Sequence, residues 1–281
     1  MESENYVYKK EVDWSTLMEG FTLPLDNQVI FLRNMENFLQ RGESKIIHFF
    51  MNGKTYDAKI VNVNNSVEKR KKDAYQIRYT RNGDLSQALQ QYFFKTMNYI
   101  KAIRENRDPK DRSYIKMPEG LKEYLAIYTT EYEDTFLLEP IAQDDFQVMK
   151  KAIQGMKERS VENEIEYEIE DKNSGIEKRL QIVKIRKLNR KIGENLKLLY
   201  GYRCQICGRV VGEKYGSHIA EAHHIDYFVN SLNNDANNQM IVCPNHHSVI
   251  HDVNPVFDRG KMMYRFDNGM QEKITLNKHL I

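Results

Sequence analysis

Cysteine is scarce in this chain: three residues in 281, at positions 204, 207 and 243. An odd number confined to the last third excludes a disulfide framework as the main source of stability. Long apolar runs are missing as well. None approaches the roughly 18–20 residues that a membrane-crossing helix needs, so no span is expected. The opening stretch MESENYVYKKEVDW is acidic, then basic, and holds no apolar core of a secretory signal; a cytoplasmic protein is expected. There is no internal repeat and no low-complexity tract. The net charge is only +2, so the overall balance says little about partners.

What is present is a chain long enough for two ordinary domains. It is 41% hydrophobic and 29% charged, enough to build packed cores. The fold class expected is α+β. An N-terminal domain is expected over 1–158, an acidic strand and basic helix as linker over 159–195, and a C-terminal domain holding all the cysteines over 196–281. In the first of these, DNQVIFLRNMENFLQRG (26–42) has helical apolar spacing and an Asp cap. KIIHFFMNGKTYDAKIVNVN brackets an Asn52-Gly53 turn, a hairpin signal. A third strand is expected near 74–81, then one helix over about 84–105, a short helix near 118–126, a strand near 134–140 and a helix near 143–158. His48, in an apolar run, is expected in the core. VENEIEYEIED (161–171) alternates strictly, with six acids and no base, and is predicted to be a half-buried strand or an extended linker. The basic stretch after it is predicted to be a long helix, interrupted at Gly193, and NPVFDRGKMMYRFDNGM a closing hairpin.

The cysteines point to metal. Cys204-x2-Cys207 places two thiolates on one tight turn, and Cys243-x2-His246 supplies the matching half. Together they form a Cys3His set suited to a structural Zn2+, clipping the 35 residues between its halves. A redox C-x-x-C lacks its usual βαβ context here. His218 competes for the fourth position but has no cysteine beside it.

Five polar residues remain: His223, His224, Asn238, His247 and His251. The stretches YGYRCQICG, EAHHI and NNQMIVCPNHHSVIH resemble the HNH nucleases of the ββα-metal fold, in the zinc-stapled form of McrA-like restriction enzymes. The likeness covers roughly residues 196–260, and the double histidine, the Asn and the H-x3-H ending are also similar to colicin-type DNases. The resemblance implies a metal-dependent DNA endonuclease, with 196–281 as its nuclease domain and 1–158 as a DNA-recognition domain. His224 would be the general base, since a neutral imidazole can take a proton from water near pH 7. His223, His247 and His251 would hold one catalytic divalent metal, with His247 and His251 on one helix face. Asn238 would orient the loop that carries His224. Many restriction-type members have Asp where this chain has His223. All-nitrogen ligation suits Mn2+, Ni2+, Co2+ or Zn2+ better than Mg2+, so the catalytic ion stays open among Mg2+, Mn2+, Ni2+ and Co2+. Asp226 and Asp252 are either oxygen ligands or solvated loop residues.

Double-stranded DNA is the expected partner. Lys184, Arg186, Lys187, Arg190 and Lys191 on the basic helix, and Arg78 and Arg81 in the first domain, are candidate DNA contacts. Further basic residues cluster at Lys69, Arg70, Lys71 and Lys72. A two-strand cut by one site per chain favours a homodimer. Restriction or phage defence is the leading role. A toxin or homing nuclease, a catalytically silent zinc-stapled DNA-binding module, or an RNA substrate are the alternatives.

Overall fold

The computed structural model describes residues 3–35, 39–64, 72–108, 110–111, 113–166 and 176–281. Lys69, Arg70, Lys71 and the end of the acidic run, 167–171, lie outside the described residues. The architecture is mixed α+β, in two compact units, Met1–Asp144 and Asp145–Ile281. The segment expected as a linker therefore lies within the second unit. Among the described residues no helix is long and apolar enough to cross a membrane.

The first unit is built on one sheet. Its elements are β1 (Ser3–Glu11), α1 (Trp14–Met18), β2 (Gly20–Thr22), α2 (Leu25–Arg33), β3 (Ser44–Met51), β4 (Lys54–Asn62), β5 (Tyr75–Arg78), α3 (Asp84–Tyr92), α4 (Phe94–Glu105), β6 (Tyr124–Thr130) and β7 (Thr135–Ile141). The strand order is β1-β6-β7-β3-β4-β5-β2, with β3 and β7 parallel and the other pairs antiparallel. The β3–β4 hairpin turns at Asn52 and Gly53, both at positive φ (49° and 78°), as a tight turn compatible with strand twist demands. Phe31 of α2 stacks on Phe136 of β7 with ring centroids 3.8 Å apart, in a core shared with Leu89, Phe93 and Ile100 of the α3–α4 pair.

Several expectations need correction. The helix near 118–126 is instead a short 3-10 turn followed by β6. YLAIYTT is buried at almost every position between β1 and β7, and a strand covered on both faces loses the alternation that would identify it. The helix begun at Leu25 stops at Arg33, because the Asn34 side chain donates to the carbonyls of Tyr132 and Thr135 and draws the chain towards β7. The helix over 84–105 breaks at the buried Phe93, whose backbone leaves the helical region (φ −97°, ψ 42°). His48 is not in the core. It lies on the outer face of β3 with its side chain 45% exposed and Nδ1 2.8 Å from Asp57 of β4.

The second unit contains α5 (Gln143–Ala152), whose first two residues belong to the first unit, then α6 (Glu158–Glu166), α7 (Ile176–Leu199), β8 (Glu221–His224), α8 (Phe228–Ser231), β9 (Gln239–Val242), α9 (Pro244–Val253), β10 (Val256–Asp258), β11 (Met263–Arg265) and β12 (Gln271–Lys273). The acidic stretch expected as a strand is helical from Glu158 to Glu166. Val161 is buried, and the i,i+4 pair Glu158 and Glu162 shares a helix face that the alternation of acids concealed. Helix α7 runs unbroken through Gly193. Ile182, Ile185, Leu188, Ile192 and Leu196 form its buried stripe. A Cβ at Gly193 would stand 3.0 Å from Ala222 Cβ, so the missing side chain lets α7 approach β8 closely. The closing hairpin is a three-stranded sheet, β10-β11-β12.

Candidate functional site

The site is a two-stranded antiparallel ribbon, β8–β9, followed directly by α9. His223 pairs with Met240 and His224 with Gln239 across the ribbon. Cys243 caps α9 and Pro244 occupies its first turn, where a missing N–H costs nothing. Neighbouring residues project about 100° apart on a helix. The adjacent His246 and His247 therefore turn into two different clusters.

His246 joins Cys204, Cys207 and Cys243. Their ligand atoms all lie within 4.8 Å of one another. His246 Nδ1 is 3.5 Å from Cys204 Sγ and 3.1 Å from Cys243 Sγ, close to the about 3.6 Å that tetrahedral zinc with ordinary bond lengths would set. The cysteines are free thiols, and Cys204 and Cys243 are buried. Burial pushes the Cys204 thiol up to about 12, although the backbone N–H groups of Cys207, Cys243 and Ile206 favour its thiolate. Three convergent sulfurs at such a site suit a soft divalent cation. On the far side of the ring, His246 Nε2 lies 3.3 Å from Glu272, which fixes the tautomer with Nδ1 facing the sulfurs. This cluster could hold a metal such as zinc. His218 stands outside it, 5.8 Å from the Tyr202 ring.

His247 turns the other way and meets His223, His251 and a residue that the motif does not contain, Glu162 of α6. Their ligand atoms also lie within 4.8 Å of one another. Glu162 Oε2 is 3.0 Å from His247 Nε2 and 2.5 Å from His251 Nε2, and the two imidazole nitrogens are 3.1 Å apart. Glu162 Oε1 is 3.6 Å from both His223 Nδ1 and His224 Nδ1. Glu221 contacts Nδ1 of His247, leaving Nε2 to face the cluster. His223 is 1% exposed, and among the described residues neither its ring nitrogens nor those of His224 have a hydrogen-bond partner.

Successive strand residues project to opposite faces, so His224 stands apart from the His223 group. Its ring lies against Phe228, with Nδ1 3.4 Å from Glu158 Oε1. Glu158 is itself tied down, accepting the N–H groups of Phe228 and Val229 at 2.7 and 2.8 Å. These carboxylates perturb the cluster. Burial alone would raise Glu162, but the His224, His247 and His251 rings, with the charge of His223, hold it well below the ordinary carboxylate range. Burial pushes His223 down to about 3, against the pull of Glu162. Burial opposes charge on His224 and His247 as well, yet Glu158 and Glu162 raise the former, and Glu162 and Glu221 raise the latter to about 9.

Asn238, fully buried, clamps the chain two residues beyond His224. Its Oδ1 accepts the Asp226 N–H, and its Nδ2 donates to the carbonyls of Asp226 and Asn233, each at 2.9 Å. Asp226 turns its carboxylate outward to Arg259, 3.0 Å away, and Asp252 is exposed on α9; neither enters the cluster. His279 pins the same loop from behind. Its Nε2 lies 2.9 Å from the carbonyls of Ala236 and Gln239, and Tyr200 donates to its Nδ1.

A cavity of about 590 Å³ opens beside His224 and His247, and Arg159, Arg190 and Lys197 bring cations to its wall. Of the candidate DNA contacts on α7, Arg190 is exposed and Lys184, Arg186, Lys187 and Lys191 are half-buried; Arg190 and Lys191 both pair with Glu194. Arg78 and Arg81 lie in the first unit, on and just after β5, where Arg78 bonds Gln76 and Arg81 contacts Glu19.

The sequence reading missed Glu158, Glu162 and Glu221. The first two carried a signal in their i,i+4 spacing beside Val161, and Glu221 in its place at the head of EAHH. Comparison of the chain with protein-family models, with curated proteins and with solved structures finds no match, so a functional reading rests on the site's own geometry.

Proposed function

We propose that the second unit is a metal-dependent endonuclease that hydrolyses phosphodiester bonds of double-stranded DNA. The observation that carries this reading is the division of labour around the ribbon and helix. Three imidazoles converge on one point, while a fourth, His224, leaves the opposite face of the strand, its Nδ1 3.4 Å from Glu158 and 3.6 Å from Glu162. His223, His247 and His251 offer nitrogens to one divalent cation, and the unsatisfied nitrogens of buried His223 fit that use. Such a cation, when bound, acts as a Lewis acid towards the scissile phosphate and the leaving oxygen.

The chain's own residues supply the rest. His224 takes the proton of the attacking water through its free ring nitrogen. Glu158 and the Asn238 clamp position that ring. Arg159, Arg190 and Lys197 face the cavity beside it and suit the phosphates of an entering strand. The Cys204–Cys207–Cys243–His246 staple fixes the start of α9 and with it the heading of His247 and His251. The first unit serves as a specificity domain, and the role is restriction or phage defence, with the enzyme acting as a homodimer on opposite strands.

The test is incubation of the full chain with plasmid DNA and Mg2+, Mn2+, Ni2+ or Co2+ in turn. Nicking or cutting is expected with at least one ion. His224→Ala should abolish it while retaining DNA binding in a gel-shift assay. Full activity in His224→Ala would sink the base assignment. DNA binding by the native chain without cleavage under every ion would favour the silent zinc-stapled module.

A further inference from the structure

The three-histidine reading leaves Glu162 without a task, although it is the group that touches every ring of the cluster. It arrives from α6, 85 positions before His247, and its side chain is only 8% exposed. The two carboxylates of that helix are held differently. Glu158 is satisfied by two backbone N–H groups, so it anchors the helix. Glu162 faces imidazole nitrogens and one long backbone contact, the His224 N–H at 3.4 Å. A carboxylate so placed, beside His223, for whose ring nitrogens the described residues offer no hydrogen-bond partner, suits a cation position. Three nitrogens and one oxygen close a four-ligand set.

The location matters as much as the donor. Oε2 lies against the His247–His251 pair, and Oε1 reaches towards His224. On the nuclease reading the scissile phosphate would occupy that same gap, between the cation that His223, His247 and His251 would hold and the ring of His224. Catalytic metal sites keep a position open for substrate, whereas a filled four-ligand set does not. A carboxylate and a phosphodiester both carry one negative charge, so one can replace the other without leaving the cation's charge uncompensated.

Building on the nuclease reading, we propose that Glu162 is a fourth, displaceable ligand: it completes a three-histidine, one-carboxylate cation site and holds the place of the scissile phosphate, so that substrate enters by exchange with this carboxylate. The resting site is then loaded with metal but closed.

The experiment uses the full, zinc-stapled chain and two readouts that do not depend on cleavage. The first is Co2+ affinity, from titration calorimetry and the visible spectrum. The second is the affinity of the Co2+-saturated protein for dimethyl phosphate, a small phosphodiester monoanion. Glu162→Gln and Glu162→Ala are compared with Glu194→Gln, which removes a charge from the same cavity and frees Arg190 and Lys191 from their ion pairs without touching the histidines, and so sets an upper limit on what charge alone can give. One zinc per chain and an unchanged thermal transition certify the fold of each variant. Both Glu162 variants should bind Co2+ about tenfold more weakly or worse. Once saturated, both should bind dimethyl phosphate more tightly than either the native chain or Glu194→Gln. Unchanged Co2+ affinity overturns the ligand assignment. An equal gain in Glu194→Gln overturns the exchange, because charge removal alone then explains it. If the native chain cleaves no DNA, the nuclease reading fails while both readouts still judge this one.

Discussion

Asn238→Asp is close to an isosteric change and should nonetheless damage the second unit more than Asn238→Ala. The native amide is fully buried. It donates two hydrogen bonds, to the carbonyls of Asp226 and Asn233, and accepts two, from the Asp226 N–H at 2.9 Å and Arg259 Nη2 at 3.1 Å. Alanine removes all four. At about 1 kcal/mol net per bond, with Asp226 exposed enough to find water, the cost is about 3 kcal/mol. Aspartate keeps the accepting oxygen but sets a carboxylate oxygen against two carbonyls, an unpaired repulsion that adds about 1–2 kcal/mol after the attraction of Arg259 is counted. At about 4 °C per kcal/mol for a unit of this size, the melting point of the second unit should fall by about 12 °C in Asn238→Ala and further in Asn238→Asp, as read by calorimetry on the zinc-loaded chain at pH 7.5. The pH dependence checks the cause. Repulsion raises the folded-state pKa of the new carboxyl above its unfolded value near 3.9. The deficit is then complete above the folded value and shrinks as pH falls through it, because the protonated acid can donate to one carbonyl. An Asn238→Asp protein within about 1 kcal/mol of native at pH 7.5 would refute the clamp, since neither donated bond would then be supporting the loop.

Two further outcomes follow from the same structure. If the Cys204–Cys207–Cys243–His246 cluster holds zinc, Cys207→Ala should lower the zinc content, measured by metal analysis, and strongly destabilise the second unit, because a structural zinc worth about 10–16 kcal/mol is comparable with the whole stability of a domain; full zinc content in that variant would contradict a four-ligand staple. Gly193→Ala should be close to neutral, since about 1 kcal/mol of helix propensity is set against overpacking at 3.0 Å from Ala222, and in an Ala222→Gly background the same change should become stabilising by about 1 kcal/mol in chemical denaturation. The same effect in both backgrounds would mean that α7 and β8 are not in tight contact there.

The sequence by itself determined those features whose signal is local. Asn52-Gly53 specifies a hairpin because few residues adopt positive φ cheaply. The paired C-x2-C and C-x2-H spacings bring four ligands together because each half fits one tight turn or one helix start. His247 and His251 share a face because they are four apart on a helix. What only the tertiary structure decided depends on partners distant in the chain. YLAIYTT is a strand because β1 and β7 pair with its two edges, and its unbroken burial leaves no alternation to separate a buried strand from a buried helix. The acids from Glu158 onwards fit a strand period and a helix period alike. Burial of Val161, and the histidines waiting for Glu158 and Glu162, selected the helix. His48 reads as a core residue in an apolar run, yet the register of β3 against β4 turns it outward to Asp57. The carboxylate in the histidine cluster was hidden for the same reason: Glu162 and His247 are 85 residues apart, and only packing of α6 onto the ribbon and helix makes them neighbours.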